Sequence, residues 1–205
     1  DCSANIGTFT STGVNPGTNV LCYGDEFQIV ANGDYTAPNL ANNPPLAEGY
    51  DPGIGWLIYS CAPTVGLTPS ATEDIIDDPC LLGFMSSADL ADMNDLSFVN
   101  GFPVGTFSGN TVYFVPITMY HLGEGYYSYV NTDVPCYMLG DVYAVQYLPE
   151  ITETHTADCQ AGTVTATVQG GSPAINGSNF TASNLTPATA SFNTTVPSSE
   201  TEEGT

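Results

Sequence analysis

Hydrophobic and polar residues alternate with a period of two along four stretches: EFQIVA at 26–31, GWLIYS at 55–60, TVYFVPITM at 111–119 and DVYAVQYL at 141–148. Each is rich in Val, Ile, Tyr or Phe and bounded by Gly, Pro, Asn or Asp, so each predicts a β-strand. In 141–148, Val142, Ala144 and Leu148 share one face, while Tyr143, Val145 and Tyr147 share the other. Both faces being apolar predicts a strand that lies near a second layer. Pro116 cannot donate to a ladder, which predicts an edge strand or a bulge around it. Helical spacing occurs once, in SSADLADMNDL at 86–96, with Ser87 as N-cap and Leu90 and Met93 on one face. Its acids lack counter-charges, so it is expected to span two turns at most. The stretches 36–54 and 62–79 read as Pro- and Asn-rich loops. The expected class is all-β.

An internal echo divides the chain. Cys2 is followed by Gly7 and TFTST, and Cys159 by Gly162 and TVTATV. Each reads as the opening strand of a β-sandwich module. LPEITETHTAD at 148–158 reads as a last strand and short connector. The expected division is one module at 1–155, with long loops, and a second module or segment at 156–205 that ends in a polar tail.

The Cys–Gly–Thr-Val-Thr opening and QGGSPAINGSNFTASNLTPATASFNTTV at 169–196 resemble modules of very large cell-surface proteins of Bacteroidota. These are type IX secretion cargo and include the repeat-containing gliding adhesins. GWLIYSC, FVPITMY and DVYAVQYLPEIT are similar to the module that accompanies those repeats. The resemblance implies immunoglobulin-like β-sandwich modules, export to the bacterial cell surface and a role in adhesion or filament building. It transfers no active site. The chain departs from that pattern at its end, where SSETEEGT stands in place of further strands and a closing Cys.

Composition sharpens this reading. The 205 residues contain no Lys or Arg and 22 acids, a net charge of −22. Such a chain repels nucleic acid and anionic lipid. It offers trypsin no cleavage site, and it has no amine for a Schiff base or a Lys–Asn cross-link. Charged residues are only 11% of the total, so the surface is expected to be polar and uncharged rather than densely acidic. The apolar runs are short, and no membrane insertion is expected. The chain opens on Asp1 without an initiator Met or signal peptide, which reads as a processed form or an excerpt. The six cysteines, Cys2, Cys22, Cys61, Cys80, Cys136 and Cys159, contain no C-x-x-C pair, so they read as disulfides of an oxidising compartment rather than metal ligands. The pairing adopted is Cys61–Cys80 and Cys22–Cys136, leaving Cys2 and Cys159, although sequence alone does not fix connectivity. Trp56 is expected to pack near the Cys22–Cys136 bridge.

Candidate chemistry is sparse. No G-x-S-x-G, H-E-x-x-H or G-x-x-x-x-G-K motif occurs. His121 and His155 read as surface or half-buried histidines, and no spacing among the acids singles out a glycosidase pair. No enzyme activity and no obligatory cofactor are expected. Asp89, Asp92, Asn94 and Asp95 are the best metal candidates, since closely spaced oxygen ligands suit calcium. Asp74, Asp77 and Asp78 form a weaker group. Tyr120, Tyr126, Tyr127 and Tyr129 are candidates for a sugar-stacking platform. N-x-[ST] sequons place possible glycans at Asn176, Asn179, Asn184 and Asn193.

The expected function is a structural subunit or repeat of an extracellular filament or adhesin, with an alternative as a carbohydrate- or calcium-binding adhesion module. The expected partners are copies of the same chain or adjacent repeats, joined head to tail by strand complementation, and surface glycans in the alternative. The tail VPSSETEEGT would be disordered if free, so a neighbouring copy is its expected holder. The candidate donors are the opening strand at 5–14, which is favoured, and the tail at 191–205.

Overall fold

The computed structural model describes residues 2–40, 51–84, 95–99, 107–121, 127–128, 135–172, 179–181, 195–197 and 201–204. Among them the strands are β1 (Cys2–Asn5), β2 (Phe9–Thr12), β3 (Gly17–Leu21), β4 (Glu26–Ala31), β5 (Thr36–Leu40), β6 (Asp51–Tyr59), β7 (Leu81–Phe84) and β8 (Asp95–Val99). They continue as β9 (Thr111–His121), β10 (Tyr127–Ser128), β11 (Tyr143–Tyr147), β12 (Thr152–Asp158), β13 (Thr163–Gln169), β14 (Asn179–Thr181), β15 (Thr195–Pro197) and β16 (Thr201–Gly204). A 3-10 turn at Ile75–Asp77 is the one helical element among the described residues. The all-β expectation holds.

The chain forms two compact units. One comprises Asp1–Asn19, Glu26–Val99 and Thr111–Gln146; the other comprises Val20–Asp25, Asn100–Asn110 and Tyr147–Thr205. The expected division after residue 155 falls inside β12, which is paired with β13 across it.

In the first unit, β9 runs antiparallel to β6 along its full length, from Asp51 opposite His121 to Tyr59 opposite Tyr113. The sheet order is β3-β11-β9-β6-β7, with β10 beside the end of β9. A second sheet has the order β2-β4-β8, and β1 pairs with β5. The two faces of β9 are both covered, which is why its sequence is almost continuously apolar. On one face Val115, Ile117 and Met119 pack with Leu57, Tyr59, Ile75 and Tyr137. On the other, the Phe114 ring meets Phe27 of β4 at 5.6 Å. Trp56 is fully buried, edge-on to Phe9 at 5.7 Å and to Tyr143 at 6.3 Å. A Cβ at Gly55 would collide with the Met119 thioether, so the close approach of β6 and β9 depends on that glycine.

Several expectations are corrected. Pro116 is neither on an edge strand nor at a bulge of the β6–β9 ladder, because β9 lies between β6 and β11. Proline is accommodated there because the second partner of β9 changes: β11 pairs only Thr111 to Phe114, and beyond it Gly140 N donates to Pro116 O (2.9 Å) and Thr118 N to Met138 O (3.0 Å). The missing N–H coincides with that changeover. The expected loop 36–54 contains β5 and the start of β6. Most of the expected helix at 86–96 lies outside the described residues, but Asp95 and Leu96 belong to β8, where Leu96 pairs with Ile29. Loop 62–79 is irregular apart from its 3-10 turn.

Cys61 and Cys80 form a disulfide with a Cα–Cα distance of 5.4 Å. Cys22 and Cys136 do not. Cys136 is fully buried and already disulfide-bonded, whereas Cys22 is a free thiol exposed in the turn after β3. Cys159 is free and exposed as well. Trp56 therefore packs against aromatic rings rather than a Cys22–Cys136 bridge. Neither proposed donor strand is vacant: β1 and β2 pair with β5 and β4, and in the tail β15 pairs with β14 and β16 with β13.

Candidate functional site: the open edge of strand β12

The segment TETHTAD alternates Thr152, Thr154 and Thr156 with Glu153, His155 and Ala157. β-Branched threonine favours an extended backbone. β12 pairs with β13 in an unbroken antiparallel register from Thr152 opposite Gln169 to Asp158 opposite Thr163. Thr154 lies opposite Thr167 and Thr156 opposite Thr165, cross-strand pairs that stabilise a sheet with little apolar burial.

Both ends of this hairpin are fixed. At the tip, Asp158 Oδ1 accepts from Gln160 N (2.8 Å) and Ala161 N (3.0 Å), and Gly162 supplies a left-handed φ of 69°. These bonds to Ala161 and Gln160 hold the Asp158 carboxyl below its usual pKa. At the base, Gly171 N donates to Pro149 O (2.8 Å). Gly170, at φ 98°, leaves no room for a side chain, because a Cβ there would strike the Glu150 carbonyl.

Every residue of β12 is exposed. The sheet order is β12-β13-β16, so among the described residues one side of β12 has no strand partner. An edge of this kind is a template for another strand, and proteins usually blunt it with Lys, Pro or a bulge. β12 has none of these; its only charged groups of fixed sign are Glu153 and Asp158. Of the other edges of the sheets with three or more strands, β2 (FTST), β3 (GTNVL) and β7 (LLGF) carry no charge, whereas β8 carries Asp95 and β16 carries Glu202 and Glu203.

The second concentration of polar groups is the loop closed by Cys61–Cys80. Asp78 is 4% exposed. Its Oδ2 accepts from Thr64 N (2.7 Å) and Val65 N (2.9 Å), and its Oδ1 from Cys80 N (2.8 Å). Burial alone would raise its pKa, but these donors outweigh that and hold it below the ordinary carboxylate value. Tyr137 donates to Gly66 O at 2.6 Å, and burial, with Asp74 and Glu73 nearby, pushes its pKa up to about 12. The Tyr59 hydroxyl is buried without a hydrogen-bond partner among the described residues. Burial and then the Asp78 charge raise its pKa. A fully engaged carboxylate beside two protonated phenols neither takes up nor releases a proton near neutral pH. This cluster holds the loop in place.

The residues singled out from sequence do not converge. Asp89, Asp92 and Asn94 lie outside the described residues, and Asp95 begins β8. Among the described residues no group of three His, Cys, Asp or Glu is placed to hold a metal ion. Asp74 caps the 3-10 turn through Ile76 N (3.3 Å) and Asp78 faces inward, so the second acidic group is not a metal site. Tyr120 is buried, its hydroxyl donating to Pro38 O at 2.7 Å, and cannot stack on a sugar. Tyr127 is in β10 opposite His121, while Tyr126 and Tyr129 lie outside the described residues. His155 is exposed in β12. Asn179 opens β14; Asn176, Asn184 and Asn193 lie outside the described residues. The β12 edge escaped notice in the sequence because TETHTAD has no apolar face. Its signal was that deficiency, a strand-forming run with nothing to bury.

No protein-family model matches the chain, and no curated protein or solved structure is detectably similar to it. Among the described residues, no helix is long and apolar enough to cross a membrane. The Cys61–Cys80 disulfide fits a non-reducing environment.

Proposed function

We propose that this chain is a structural module of an extracellular filament or cell-surface adhesin, built of immunoglobulin-like sandwich units, whose copies join by strand pairing at the β12 edge. The observation that carries the reading is β12 itself: seven residues, all exposed, paired on one side among the described residues and without Lys, Pro or a bulge. The ring contacts of Phe27 with Phe114 and of Phe9 with Trp56 support facing sheets. The resemblance to Bacteroidota type IX secretion cargo and the absence of Lys and Arg support a surface setting. Because the opening strands and the tail are paired within the chain, the join is edge addition rather than donation of a vacated strand. The occupant is an uncharged edge strand of a second copy, which avoids placing carboxylates opposite Glu153 and Asp158.

Successive N–H groups of a strand point to opposite sides, so of His155→Pro and Thr156→Pro one removes an outward donor and spares the β13 ladder. The expected result is filaments of the unaltered chain by negative-stain microscopy, and a folded monomer for that variant by light scattering and circular dichroism. Filaments unchanged in both folded variants would show that β12 is not the join.

A further inference from the structure

Among the described residues Cys22 and Cys159 are free, and both are exposed. Each directly follows an edge strand. Cys22 follows Leu21 at the end of β3, and Cys159 follows Asp158 at the end of β12. Among the described residues each strand is paired on one side only, β3 with β11 and β12 with β13. The β3 edge is uncharged, and Val20 on it is 57% exposed.

We propose that Cys159 of one copy forms a disulfide with Cys22 of the next, with β12 of the first lying parallel beside β3 of the second. The inference rests on the edge-pairing reading and names both the partner strand and the covalent lock. Geometry selects the direction. Neighbouring strands lie about 4.8 Å apart, and the Cα atoms of a disulfide are about 4.4–6.8 Å apart. Parallel pairing in which Leu21 meets Asp158 therefore brings the two following cysteines within bonding range. Antiparallel pairing over the five residues of β3 would separate them by roughly 16 Å at about 3.3 Å per residue.

The same two thiols are not bonded to each other within one chain, and each sits in a fixed turn. Asp25 N donates to Cys22 O (3.1 Å), and Asp158 holds Gln160 and Ala161. A second copy brings the thiols together without disturbing either turn. Because one chain offers two different thiols to two different neighbours, the link is head to tail, and it propagates as a linear polymer wherever the rotation between copies does not close a ring.

The oxidant is a small-molecule disulfide. The Cys159 thiolate attacks one of its sulfurs, and one small thiol leaves with a proton. The Cys22 thiolate of the next copy then attacks the Cys159 sulfur of the mixed disulfide, and the second small thiol leaves with the second proton. Two cysteine thiols are oxidised and one small disulfide is reduced.

The test is non-reducing electrophoresis of the full chain after treatment with oxidised glutathione. The unaltered chain should give a ladder that reductant abolishes. Cys22→Ser and Cys159→Ser alone should each reduce cross-linked product at least tenfold. Mixed, the two variants should restore dimers and nothing longer, since each then supplies one half of a single bond. Equal dimer from either variant alone would mean indiscriminate thiol oxidation and would overturn the proposal. Microscopy of the same oxidised samples separates the two readings. Filaments in the unaltered chain that run only as monomer on the gel overturn the cross-link and leave edge pairing standing. Monomers by both methods overturn both.

Discussion

β9 and β12 are both long strands, and they solve opposite problems. In β9 neighbouring residues from Phe114 to Tyr120 are all buried, because packed layers cover both faces. In β12 all residues are exposed, and Thr–Thr pairs and two fixed hairpin ends replace a core. The contrast teaches where each part of the chain spends its side chains. Apolar groups concentrate around β6 and β9, leaving the β12 arm with backbone hydrogen bonding as its main unspent capacity. That capacity is what edge pairing uses.

The largest expected effect tests whether the contrast is energetic as well as visual. Ile117→Ala removes a fully buried side chain from the face shared with Leu57 and Tyr137, and should lower stability by about 2–5 kcal/mol. Val164→Ala, on β13 and 38% exposed, should change it by less than about 0.5 kcal/mol. Urea unfolding monitored by tryptophan fluorescence and by circular dichroism measures both, since Trp56 reports on the first unit. Equal losses at the two sites would erase the distinction between core strand and arm.

A somewhat smaller effect is expected at the loop packed on the β9 face. Removing the Cys61–Cys80 bridge, with a sequence separation of 19, should cost about 3 kcal/mol by the chain-entropy relation. Asp78→Ala strands three part-buried backbone donors and should cost about 1–3 kcal/mol. The combined variant should lose less than the sum, because both devices hold one loop. The pH dependence has a definite sign. The Asp78 pKa is lowered in the folded chain, so its contribution is present above the unfolded carboxylate pKa of about 3.9 and is lost as pH falls through the lower folded value. Stability differences between the unaltered chain and Asp78→Ala should therefore shrink with acid. A difference constant from pH 7 to pH 2 would assign the loss to packing instead.

The strands at 26–31, 55–60, 111–119 and 141–148 were legible because a buried side chain announces itself by type and spacing. The expected Cys61–Cys80 bridge is present, although the sequence alone did not fix it. What escaped depends on backbone groups, which carry no side-chain signature. The place of Pro116 in the sheet is set by which strand faces its missing N–H. The role of Asp78 is set by three amides, and among Asp74, Asp77 and Asp78 nothing in sequence marks it as the one facing inward. Cys22 was expected to pair with Cys136 but is free. Neither parity nor spacing encodes that one is buried and bonded and the other exposed on a turn. The β12 edge was hidden for the converse reason, since sequence patterns are read from what is buried.

The smallest expected effect concerns the charge that opposes edge pairing. Copies carrying a net charge of −22 repel one another, and salt or protonation relieves the repulsion. Sedimentation of the Cys22→Ser, Cys159→Ser double variant isolates the non-covalent step. Its association should strengthen about tenfold, equivalent to roughly 1.4 kcal/mol, between low and high salt. A similar direction is expected on lowering pH toward 4 or adding calcium. Asp158 at the end of β12 sharpens the test. Its bonds to Ala161 and Gln160 hold its pKa below the usual value, so on acidification it keeps more of its charge than an ordinary carboxylate does. Asp158→Asn keeps an oxygen for those two amides and removes that residual charge. The variant should associate more strongly than its parent at pH 4 to 5, and the gap should narrow in high salt. Weaker association in acid and in salt alike would mean that charge repulsion is not what opposes the join, and that β12 meets a partner through some other balance of forces.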